Sequence, residues 1–174
     1  MRVGIALNML SQEGRPDATV LAEHLALGDL AEPLGFDSLF ALEHHFTGYA
    51  MSPSPTQLLS YFAGRTKRIT LGTAVIVLPW HDPVRIAEEI ALLDILSGGR
   101  CLLGFGRGAA SVEYAGFRIP MEEARPASWR RRRSSSGRSA RTSSSGTGSS
   151  SRSRGRRFAH ARSPARSAAS TPRR

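Results

Sequence analysis

The chain has a single cysteine, Cys101, so no intrachain disulfide can form and a disulfide-framed scaffold is excluded. It has a single lysine, Lys67, among 24 Lys+Arg, a bias that points to GC-rich codons. No apolar run approaches the roughly 18–20 residues of a membrane span. The opening MRVGIALNML is interrupted at Asn8, too soon for a secretory leader, so a cytoplasmic protein without membrane partners is expected. No HExxH string or His-Cys cluster is present, and no metal site is expected. Acidic residues are missing from one part of the chain. Residues 1–127 hold 10 basic and 14 acidic residues (net −4), whereas residues 128–174 hold 14 arginines and no acid (net +14). The total of +10 therefore excludes one evenly basic domain and divides the chain in two.

The first part carries alternating strand and helix patterns. Residues 3–8, 36–42, 69–78 and 100–105 read as strands, and 69–78 (ITLGTAVIVL) is apolar on both faces, as in a helix-covered parallel sheet. Residues 17–34, with Asp17 as cap, 56–64 and a segment from Pro83 to Gly98-Gly99 read as helices. Residues 106–120 read as a Gly-rich loop, and a further helix is expected from Pro120. Strands alternating with helices specify an α/β fold: a small doubly wound domain, or half of an eight-unit barrel that needs about 250 residues. In either case the C-terminal strand ends form the functional face.

The polar residues expected on that face are Asn8, Glu43-His44-His45, Thr73, His81-Asp82 and Gly106-Arg107-Gly108. His44 and His45 are adjacent, so on an extended segment they point opposite ways and do not share a metal. From position alone, one is a proton donor in a pocket, or both are structural histidines bonded to loop carbonyls. Arg107, between two glycines, suits an anion, and equally a surface ion pair. GFGRG is not a GxGxxG fingerprint. Cys101 reads as a small core residue, Glu88 and Glu89 as a solvated helix face, and Trp80 as pocket wall or packing.

Four strings together carry a resemblance: GFDSLFALEHHF (35–46), GRTKRITLGTAVIVLPWHDPVRIAEEIALLDILSGGR (64–100), LGFGRG (103–108) and GFRIPMEEAR (116–125). In order and spacing they resemble the bacterial luciferase-like flavin-dependent monooxygenases, over most of residues 1–125. The resemblance implies the N-terminal half of a (β/α)8 barrel, about four βα units, from an enzyme that is often dimeric. It implies reduced FMN, delivered by a separate flavin reductase, with O2 and a small-molecule substrate. Coenzyme F420 serves a second branch of the superfamily. Residue by residue, His44 matches the catalytic histidine and His45 its neighbour. Thr73, Ala74 and Val75 match a bulge, often with a cis peptide, that supports the flavin ring. Arg107, flanked by Gly106 and Gly108, matches an arginine near the flavin phosphate, and Glu113 falls at an acidic position. Gly106 stands where the luciferase α subunit has a reactive cysteine, which disfavours light emission.

After MEEAR the resemblance ends. Residues 128–174 contain no Leu, Ile, Val or Met, and a disordered Arg/Ser-rich tail is expected over 126–174. A genuine arm of this kind binds nucleic acid nonspecifically, with steep salt dependence. A one-base frameshift explains the same letters. A family-like A-R-F-L-E-A-A-E-V in GC-rich codons, less its first G, reads P-A-S-W-R-R-R-R-S, which is residues 126–134. The expectation is a truncated, inactive enzyme followed by an out-of-frame tail. Half a barrel leaves sheet edges unpaired, so marginal stability and aggregation are expected as well.

Overall fold

In a computed structural model, residues 1–123 are described, apart from 12, 13 and 49. The expected tail, and the expected helix beyond residue 123, lie outside them.

The order is β1 (Gly4–Leu7), α1 (Asp17–Ala31), β2 (Ser38–Ala41), α2 (Pro55–Arg65), β3 (Thr70–Thr73), β4 (Ile76–Val77), α3 (Pro83–Ser97), β5 (Cys101–Leu102), β6 (Phe105–Gly106) and α4 (Ser111–Phe117). A parallel four-stranded sheet runs β1-β2-β3-β5, and a parallel pair β4-β6 continues beyond it. This is the α/β, parallel, helix-backed arrangement of part of a (β/α)8 barrel.

Register explains the layering. Ile5, Leu39, Leu71 and Cys101 are aligned across the sheet, as are Leu7, Ala41 and Thr73. These rows face the helices and meet Ala31 of α1, Leu59, Phe62 and Ala63 of α2, and Leu93 of α3 in one core. The intervening row, Ala6, Phe40, Gly72 and Leu102, faces the other way. Two of its ends are open, with Ala6 exposed and Leu102 49% exposed.

Capping accounts for two of the helices. Ser54 accepts from Gln57 N–H ahead of Pro55, and Asp82 accepts from Val84 and Arg85 N–H ahead of Pro83. Gly98, left-handed at φ 67°, ends α3. The first helix departs from expectation: Asp17 is its first residue rather than its cap, and Pro16 occupies the cap position without a side-chain bond.

Two expected strands are each broken. The run 69–78 divides into β3 and β4 around a cis Ala74–Val75 peptide, and 100–105 divides into β5 and β6. The breaks face each other. Gly104 N–H donates to Thr73 O (3.1 Å) and Oγ1 (3.0 Å), and Thr73 Oγ1 donates to Gly104 O (2.9 Å). A Cβ at Gly104 would strike Thr73 O, and one at Gly106 would strike the Val75 side chain. Both positions therefore need glycine for close backbone approach. The expected loop 106–120 also holds a helix, α4, anchored by the buried Glu113 and Tyr114.

Candidate functional site

The C-terminal ends of the strands are built up by chain that folds back over them. His44 N–H donates to Ser52 O (3.0 Å), Ser52 Oγ to Leu42 O (2.6 Å), and Met51 N–H to Met9 O (3.0 Å). These bonds pin the segment after β2 against the end of β1. Ala74 N–H donates to Ala41 O (2.8 Å), which places the cis turn beside the end of β2.

Two carboxylates organise the rim. Glu43, with a side chain fully shielded from solvent, presents Oε1 to His81 Nε2 (2.6 Å) and His45 Nε2 (3.0 Å). Its Oε2 accepts from Val77 N–H (2.6 Å). Burial pushes the Glu43 carboxyl up, but the hydrogen bonds from His45 and His81, the His81 charge and the Val77 N–H outweigh it. The net position is below the ordinary carboxylate value. Glu113, from α4, presents Oε1 to His45 N–H (2.8 Å) and His44 Nδ1 (3.1 Å). Thus a residue 69 positions away in sequence closes the site over His44.

The adjacent histidines meet different carboxylates, His44 with Glu113 and His45 with Glu43, partners that the loop-carbonyl alternative did not anticipate. His81, Glu43 and Glu113 join the cluster, whereas Asp82 instead caps α3. Glu43 was expected on the functional face but was assigned no role there. A carboxylate directly after the apolar strand FDSLFAL is forced towards the interior and must find partners there, so the signal was present.

Aromatic rings wall the cluster. His45 makes edge contacts with Trp80 (5.3 Å) and Phe117 (4.7 Å), and Trp80 stacks on Phe117 (5.3 Å). Trp80 Nε1 and Thr47 Oγ1 are buried without a hydrogen-bond partner. Tyr114 OH donates to Arg107 O, which fixes the backbone after β6, and burial raises the Tyr114 phenol. Gly108, at φ 77°, lies against Val77 and Trp80. The Arg107 side chain is exposed, and among the described residues no ion pair holds it.

Among the described residues no group of three or more His, Cys, Asp or Glu could hold a metal. No helix there is long and apolar enough to cross a membrane. Cys101 is half-buried, and burial raises its thiol to about 11, which leaves it little thiolate at neutral pH. Glu89 is exposed as expected, yet it accepts from Thr56 Oγ1 (2.8 Å), tying α3 to α2. A recess of about 470 Å³, lined in part by Arg2, Asp37, Arg68 and Thr70, lies at the opposite, N-terminal strand ends, away from this chemistry.

The chain is 41% identical over 99 residues to the alkanal monooxygenase alpha chain of Photorhabdus luminescens, which covers 57% of this chain and 27% of that protein. The structure of monooxygenase RslO1 from Streptomyces bottropensis superposes with a TM-score of 0.73 at 32% identity, covering 78% of this chain and 42% of that one. The coenzyme F420-dependent tetrahydromethanopterin reductase of Methanopyrus kandleri superposes with a TM-score of 0.52 at 27% identity, covering 68% of this chain and 30% of that one. The chain spans about a third of the length of the curated relatives it matches. The family model for luciferase-like monooxygenases matches residues 1–131, and the chain belongs to that family.

Proposed function

We propose that this chain is the N-terminal part of a flavin-dependent monooxygenase, using reduced FMN and O2 on a small organic substrate. The observation that carries this reading is the meeting of His44 and Glu113 at the C-terminal strand ends, beside the Ala74–Val75 turn. His44 serves as the catalytic group, with His45 held by Glu43 and packed on Trp80 and Phe117.

The residues around the turn fit a flavin. Ala74 is exposed and Val75 half-buried, so a planar ring can lie on Thr73-Ala74-Val75. Gly106 and Gly108 keep the neighbouring backbone low, and Arg107 offers an exposed guanidinium for a phosphate. The cofactor supplies the electrons that activate O2. The protein binds and orients it, and the Trp80, Phe117 and Tyr114 rings exclude water. Glu113 orients the His44 ring.

The alkanal monooxygenase relation, at 41% identity, supports the monooxygenase reading, and FMN rests on the resemblance. The 27% likeness to an F420 enzyme supports F420 as the second reading. A separate flavin reductase, a homodimer of the intact fold and a cytoplasmic location complete the proposal.

Residues 126–174 we assign to a frameshift just after Arg125, so this chain by itself lacks turnover. The DNA around codons 125–126 tests it. A one-base change there should open a frame with an amphipathic helix, and its absence would sink the idea. The frame-restored protein should then bind FMN in preference to F420, and His44→Ala should lower its turnover by about 100-fold or more. Preference for F420 would transfer the assignment to the second branch.

A further inference from the structure

Two facts about one carboxylate determine where protons sit. Glu43 Oε1 lies 2.6 Å from His81 Nε2 and 3.0 Å from His45 Nε2, while Oε2 is taken by the Val77 N–H. An ionised carboxylate only accepts hydrogen bonds, and one oxygen has lone pairs for two donors. Both imidazoles must then bring an N–H at Nε2. The second carboxylate acts on the other ring nitrogen. Glu113 Oε1 already accepts the His45 backbone N–H at 2.8 Å and faces His44 Nδ1 at 3.1 Å. An oxygen engaged as an acceptor calls for an N–H at His44 Nδ1.

We propose that the two buried glutamates are positioning residues that fix opposite tautomers on adjacent histidines, Nδ1–H on His44 and Nε2–H on His45, with Glu43 imposing Nε2–H on His81 as well. Neutral imidazole in water prefers Nε2–H, so His44 is the ring held in its minority form. Its Nε2 carries the lone pair and takes up a proton. The imidazolium that results keeps its Nδ1–H on Glu113, the arrangement by which a carboxylate steadies a catalytic histidine. His45, with its proton committed to Glu43, is a fixed wall rather than a proton carrier. This division of labour rests on the reading of His44 as the catalytic group. The tautomers themselves do not, and they are read without flavin or substrate.

The test is a nitrogen-15 spectrum of the full chain labelled at histidine, at about pH 8.5, two units above the ordinary imidazole value. The His44 signals are assigned by their loss in His44→Asn. The expected result is a protonated Nδ1 and a lone-pair Nε2 on His44, with the reverse on His45 and His81. Glu113→Leu should return His44 to Nε2–H. Glu113→Gln keeps an acceptor oxygen and should keep Nδ1–H. Nε2–H on His44 in the unaltered chain overturns the proposal, as does Nδ1–H that persists in Glu113→Leu. If the leucine variant fails to fold, the unaltered and glutamine spectra decide. Failure of FMN binding in the frame-restored protein would remove the catalytic reading and leave the tautomer result standing.

Discussion

The helix-covered face of the sheet and the opposite face are made by the same four strands, yet they are in different physical states. On the covered face Leu39 and Leu71 are completely buried, and α1, α2 and α3 close over them. On the opposite face Ala6 and Leu102 are exposed. The flanks repeat the contrast. On α1, Leu27 and Leu30 are 50–51% exposed, Leu34 just beyond it is 70% exposed, and on α3 Leu92, Ile95 and Leu96 are 50–53% exposed. β1 pairs only with β2 and β5 only with β3, among the described strands. One face is finished by local βαβ packing. The other face and the flanks carry apolar surface that a closed barrel would cover.

The contrast can be broken by truncation. Leu71→Ala should cost about 2–5 kcal/mol, because it leaves a cavity in a closed core. Leu102→Ala should change stability by no more than about 0.5 kcal/mol. Urea denaturation of both variants checks this; equal losses would mean the open face is covered in solution.

The rim belongs with the closed region. Glu43→Gln should cost about 1.5–3 kcal/mol at neutral pH, since the charged acceptor of three donors is lost. The folded-state pKa of Glu43 lies below its ordinary value. Its contribution is therefore complete above the ordinary carboxylate range and fades as pH falls through the lowered value. Stability-versus-pH curves of variant and parent should converge in acid; a gap that stays constant with pH would contradict the assignment.

A smaller effect separates the faces with the same chemistry. A Cβ at Gly28 would overlap the Phe62 ring and crowd Leu7, both within the core, whereas one at Gly72 would overlap only the Phe40 ring, which borders the open face. Gly28→Ala should cost about 1–3 kcal/mol and Gly72→Ala less, because Phe40 is only half-buried whereas Phe62 is completely buried. Thermal melts of the pair check the order.

How much of this was written in the sequence follows the same division. The three long helices and the first strands were legible because their signals are local: the Pro83 start, the Gly98 stop and the apolar spacing of Leu59 and Phe62 and of Ile86 and Leu93. The break in strand four was not, and the one in strand three was legible only through the resemblance, as a bulge at Thr73-Ala74-Val75. Their cause is a bond pattern between Thr73 and Gly104, 31 residues apart, inside runs that read as continuous strand. Helix α4 escaped because Ala110 provides no side-chain cap and Gly116 interrupts its seven residues. What holds it is burial of Glu113 and Tyr114, a tertiary effect. At the site, His44 and His45 were found as a pair. Glu43 and Glu113 were both noted, but their pairing with the two rings was not, because it depends on tertiary contacts of the segment after β2 and of α4.

On the proposed function, this chain carries the chemistry-bearing rim of a flavin site, and the rest of a barrel is needed to complete it. Flavin fluorescence during titration of FMN with the purified chain tests that most directly. The account predicts no saturable quenching with the chain as it stands, and saturable one-to-one quenching once the reading frame after Arg125 is restored. Tight, stoichiometric quenching by the present chain would contradict it.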